Sequence, residues 1–156
     1  MKRLAAAIVF VASPALAQDL VDGSQVDDIV AIARTHGSAS LESQADGSPR
    51  IAGRINGVPY HVLFMNCTAA RACEDLNFYA AFADLKPTLD AINAWNRERR
   101  FGTAYLDADL DAAIEYDLNL EHGVTRDNLD AAFGIWSVVL EEYAAHIGYQ
   151  PGSPAT

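Results

Sequence analysis

The stretch that decides the fold runs from Ile92 to Trp136: INAWNRERRFGTAYLDADLDAAIEYDLNLEHGVTRDNLDAAFGIW. Its apolar spacing changes twice, and each change marks a new element. Ile92 and Trp95 share a side with Leu85 and Leu89 at helical steps, which predicts a helix over Lys86–Arg99. Pro87 falls in its first turn, where a missing N–H is harmless. Arg97, Arg99 and Arg100 stand at its far end, where the helix dipole favours cations. The period then shortens to alternation. Phe101–Leu106 and Ala112–Leu120 read as strands flanking the acidic turn Asp107–Asp111. Thr125 caps a last helix whose inner side is Leu129, Phe133, Trp136, Leu140, Tyr143 and Ile147.

Upstream of this block the chain is mostly extended. Ser24 is placed to cap a first helix, with Asp27 in a box-like position and an apolar face of Val26, Ile29, Val30 and Ala33. His36-Gly37 ends that helix. Leu41–Gln44 is a short strand, and Arg50–Ile55 follows the Asp46-Gly47 turn. Asn56-Gly57 signals a type I′ hairpin leading into Val58–Met65. Both faces of that strand are largely apolar, so it belongs in the middle of a sheet. Leu76–Phe82 alternates again. The order is helix, four strands, helix, two strands, helix. Hairpin connections favour an antiparallel sheet with helices packed on it, an α+β fold.

The Ile92–Trp136 block is similar to the YbjN-domain family of bacterial proteins. The carrying residues are Trp95-Asn96-Arg97 with Phe101, then Tyr105-Leu106-Asp107, Glu115-Tyr116-Asp117-Leu118 and the helix entry Gly123-Val124-Thr125. The resemblance implies a fold like that of type III secretion chaperones, and a regulatory role in sensory transduction without known chemistry. A functional reading makes this corner a peptide- or ligand-binding edge, with Trp95, Asn96, Arg99 and Tyr105 as the candidate binding surface. A structural reading stands beside it. Trp95 buries a ring at a helix end, Asn96 satisfies backbone groups, and the arginines neutralise terminal carbonyls.

The 156-residue chain opens with Lys2 and Arg3, an apolar run over Leu4–Val11 and the small-residue site Ala15-Leu16-Ala17. That pattern predicts a signal peptide over 1–17, cleaved near Ala17, and an exported, periplasmic or secreted product. No cysteine for a lipid anchor stands at the cleavage point. One domain over 18–149 is expected, with a tail over 150–156 (QPGSPAT) of disordered character. Eleven Lys and Arg face twenty-one Asp and Glu, a net charge of −10. Nucleic acid and anionic membranes repel such a chain, so neither is an expected partner. The two cysteines, Cys67 and Cys73, form a local even pair. In an oxidising compartment it reads as a disulfide, the alternatives being a redox or metal pair.

Tests for chemistry return little. An EF-hand loop starting at Asp107 needs glycine where Ala112 stands and glutamate where Leu118 stands. Asp107, Asp109 and Asp111 are therefore only weak candidates for a metal. The four histidines, His36, His61, His122 and His146, are scattered. Serines lack the nucleophile-elbow context, and no phosphate-binding glycine loop is present. Glu115 and Asp117 share one strand face, where solvated carboxylates are the simpler account. The expectation is a non-catalytic, cofactor-free, protein-binding or chaperone-like module whose partner is a protein or a second copy of itself. A periplasmic small-molecule or ion sensor using the turn 107–111 is the alternative.

Overall fold

The computed structural model describes residues 20–151. The signal peptide expected over 1–17 lies outside the described residues, as does the tail beyond Pro151. The elements are β1 (Leu20–Val21), α1 (Val26–His36), β2 (Ser38–Ser43), β3 (Pro49–Ile55), β4 (Val58–Met65), β5 (Asp75–Phe82), α2 (Leu89–Glu98), β6 (Thr103–Leu106), β7 (Ala112–Asn119), β8 (Val124–Thr125) and α3 (Arg126–His146). The fold is α+β. Six strands form one antiparallel sheet in the order β2-β3-β4-β5-β7-β6. The two-residue β1 and β8 pair separately. They are too short to leave a periodic pattern, and sequence reading passed over both.

Alternation along the strands divides the sheet into two faces. Tyr60, Val62 and Phe64 of β4 are buried, as are Leu76, Phe78, Ala80 and Phe82 of β5. They meet the inner stripe of α3, where Leu129, Phe133, Trp136, Leu140 and Tyr143 have no exposure to speak of. Phe78 is the hub: its ring lies 4.9 Å from Phe133 and 5.7 Å from Trp136. The remaining strand residues, among them His61, Leu63, Tyr79 and Tyr105, point to the opposite face, which no helix covers among the described residues. β4 sits inside the sheet, as its two apolar faces predict.

The Asn56-Gly57 hairpin has positive φ at both residues, 50° and 83°, as a type I′ turn requires. Thr125 caps α3, its hydroxyl accepting from the Asn128 amide at 3.2 Å. Two helix starts differ from expectation. Ser24 does not cap α1, because its hydroxyl and amide are both donated to Asp22 Oδ1. The cap position is Gln25, without a side-chain bond. α2 opens at Leu89 rather than Lys86, since Thr88 accepts from the Ala91 amide at 3.2 Å and starts the helix after Pro87. Leu89 then faces solvent, 65% exposed, and only Ile92 and Trp95 of the expected apolar side are buried in the helix.

Cys67 and Cys73 are joined in a disulfide. It closes the tight connection between β4 and β5, where Ala69 and Ala70 both hold positive φ and Thr68 bridges Ala72. No helix among the described residues is long and apolar enough to cross a membrane.

Candidate functional site

Trp95 and Asn96 close the end of α2 onto the edge strand. The Trp95 indole is 1% exposed and donates to the Gly102 carbonyl at 3.0 Å. Its ring meets Tyr143 edge-on at 5.0 Å. Gly102 has no room for a side chain, because a Cβ there would stand 2.6 Å from Val139 Cγ1. Asn96 behaves as a surrogate strand. Its Oδ1 accepts from the Ala104 amide at 2.8 Å and its Nδ2 donates to the Ala104 carbonyl at 2.9 Å. Both residues therefore have complete structural work.

Arg99 stays at this corner with Trp95 and Asn96, whereas Tyr105 lies apart. Arg99 reaches over the Trp95 ring (6.0 Å) and toward Glu142 (3.7 Å). Tyr105 lies on the uncovered face of the sheet, its hydroxyl 3.4 Å from Glu115 Oε2. Burial, then the carboxylate of Glu115, pushes the Tyr105 phenol up to about 12. Trp95, Asn96 and Arg99 adjoin one another, and Tyr105 stands on the uncovered sheet face away from them.

A different grouping does form one surface. Between the end of α2 and the outer side of α3 lies an open cleft of about 460 Å³. Its floor is Ile135 and Val138 of α3, and its far wall is Phe101. Val138 is 57% and Phe101 54% exposed. Arg99, Arg100 and Glu142 stand at its rim. Phe101 holds φ at 71°, in the left-handed region that bulky side chains avoid. Such a conformation costs on the order of 1–2 kcal/mol, yet the ring gains little burial from it. Arg100 lies 5.3 Å over that ring, and among the described residues it makes no hydrogen bond or ion pair. Gly134, also in the lining, is a mid-helix glycine where a Cβ would meet nothing nearer than 3.8 Å. Glycine costs a helix about 1 kcal/mol against alanine, and internal packing does not explain its presence.

The acidic turn is occupied with itself. Asp107 Oδ1 accepts from the amides of Asp109 and Asp111, both at 2.9 Å. Lys86 Nζ lies 3.2 Å from Asp111 and donates to the Asp109 carbonyl at 2.6 Å. No group of three metal-ligating side chains exists among the described residues. The histidines are separate: His36 pairs with Asp130 at 2.8 Å, His146 donates to the Ala91 carbonyl at 3.0 Å, and His122 is 90% exposed. His61 lies on the uncovered sheet face, with Nδ1 enclosed and without a hydrogen-bond partner among the described residues. Asp117 accepts from Asn77 at 2.8 Å on that same face. Beside the His36–Asp130 pair stands the Thr35 hydroxyl, 3.4 Å from Asp130 Oδ1, but it donates to the Ile32 carbonyl at 2.7 Å within its own helix.

The sequence model of the YbjN domain matches residues 24–148. The chain belongs to the YbjN family. That family is described as "Putative bacterial sensory transduction regulator". The match covers α1 through α3, so the cleft and the disulfide both lie within the YbjN domain. No curated protein gives a match to the chain. Sequence reading missed the cleft because Val138 lies outside the apolar stripe that marks the core, and because nothing in the string RRFG announces a left-handed Phe101. The one available signal was an unexplained apolar residue, Val138, on the outer side of an otherwise solved helix.

Proposed function

We propose that this YbjN domain is a non-catalytic, exported regulator that acts by binding a protein through the cleft between Phe101 and α3. One observation carries the reading: Phe101 is strained in its backbone and half exposed beside Val138. Strain that packing does not repay marks a position kept for something outside the fold. A large exposed aromatic next to a free guanidinium is the usual composition of an energetic centre at protein interfaces. The disulfide and the apolar opening of the chain support export to an oxidising compartment.

The experiment is site-specific photo-crosslinking in cells. A photoreactive side chain at position 138 should give discrete adducts in the exported fraction, and one at position 63 on the uncovered sheet face should not. Absence of adducts from 138, or retention of the protein in the cytoplasm with its leader uncleaved, would sink the reading.

A further inference from the structure

The occupant of the cleft can be inferred from the pattern along α3. Asp127, Ala131, Gly134, Val138 and Glu142 fall on one outer stripe of this helix, recurring at three- and four-residue steps. The stripe is nearly apolar in its middle and small at Ala131 and Gly134. It is acidic at its start, where Asp127 is exposed and makes no hydrogen bond or ion pair among the described residues. Beside its far end stand Arg99 and Arg100, the latter also without a partner among them.

We infer that the cleft is filled by the α3 helix of a second copy of this chain, the two helices crossing antiparallel about Gly134 and Ile135. This rests on the protein-binding reading above. At 1.5 Å per residue, Asp127 lies about 11 Å to one side of that midpoint and Glu142 about 11 Å to the other. A two-fold axis there brings each Asp127 to the opposite copy's Arg99 and Arg100. It sets Ala131 of one copy against Val138 of the other, at the foot of Phe101. Gly134 lies near the axis, with His36 Cε1 of α1 3.8 Å from where its Cβ would stand, so glycine keeps the stripe low between α1 and the cleft. The same patch thus meets itself with opposite charges at its two ends, which is what an isologous contact demands. Two arginines facing Asp127 and Glu142 leave each end neutral, so the chain's overall acidity does not oppose the contact at close range. A foreign helix would need only acidity on one flank; the free carboxylate of Asp127 on the stripe favours a second copy.

Sedimentation of the mature protein tests this. The wild type should form dimers at micromolar concentration. Phe101→Gly removes the wall and relieves the backbone, so it should keep or raise the thermal midpoint while weakening the dimer at least about tenfold, equivalent to about 1.4 kcal/mol. Asp127→Arg and Arg100→Asp chains should each be monomeric alone and should form a heterodimer when mixed, because mixing restores both end contacts. A wild type that stays monomeric, or a dimer indifferent to Phe101→Gly and to both charge changes, overturns the inference. A monomer that still crosslinks to another protein from position 138 also overturns it, while leaving the protein-binding reading in place.

Discussion

Tyr143 concentrates the conflict between burial and polarity in this core. Its ring fills space between Trp95 and Phe82, with centroids 5.0 and 5.8 Å away. Its hydroxyl, like that of Tyr60, is enclosed and has no hydrogen-bond partner among the described residues. An unmet buried hydroxyl costs about 1–3 kcal/mol. Tyr143→Phe keeps the ring and deletes the liability, so the thermal midpoint should hold or rise. A loss of more than about 1 kcal/mol would show that the hydroxyl does have a partner. The same burial pushes both phenols from 10.0 up to about 12. In the unfolded chain they ionise at their ordinary value, whereas the folded state holds the protons. The unfolded state then binds fewer protons than the folded state, so stability falls as pH rises from 10 toward 12. Tyr143→Phe should flatten that fall, as read by denaturant midpoints across the window.

At the scale of elements, two short devices hold what hydrophobic pattern leaves loose. One is Asn96, whose paired bonds to Ala104 dock the four-residue edge strand β6 against α2. Asn96→Ala should cost about 1–3 kcal/mol. It should also speed hydrogen exchange at the Ala104 amide more than at amides inside β4; equal protection in the variant would remove the docking role. The other is the Cys67–Cys73 closure. A loop this short removes unfolded-state entropy worth on the order of 2 kcal/mol. Reductant, or Cys67→Ser with Cys73→Ser, should lower the unfolding free energy from urea titration by that order and leave the far-ultraviolet spectrum unchanged. Loss of the whole sheet on reduction would give the bond a larger part than loop closure. Element boundaries were legible wherever a turn residue had a single job. Asn56-Gly57 fixed the ends of β3 and β4, and Thr125 fixed α3. They were misread where two residues competed for one. Pro87 drew the start of α2 away from Thr88, and Ser24 was read as a cap although Asp22 takes its donors.

Among the described residues the whole molecule is a sheet with its three helices on one side, and that asymmetry explains which parts of the site could be read in advance. Residues facing the helices announce themselves by period, because burial demands apolar side chains at every second strand position and every turn of α3. The disulfide was legible because its chemistry needs only two cysteines and a compartment. The cleft was not, because the residues that set it apart, Arg100, Phe101 and Val138, satisfy no demand of the core and so leave no period behind. The layering itself has a sharp consequence at neighbouring positions of β4. Val62 has no exposure and points into Phe78 and α3, whereas Leu63 is half-buried on the uncovered face, paired across the strand with Arg50. Val62→Asp places a carboxylate among aromatic rings, where no partner can compensate it. It should abolish cooperative unfolding. Leu63→Asp places the same group in water beside a guanidinium, losing β-propensity and a little apolar cover. Its cost should stay within about 1–2 kcal/mol. Denaturant unfolding of the two variants decides the matter. If Leu63→Asp collapses the protein as completely as Val62→Asp, the second face of the sheet is buried too, and a partner surface larger than the α3 cleft must cover it.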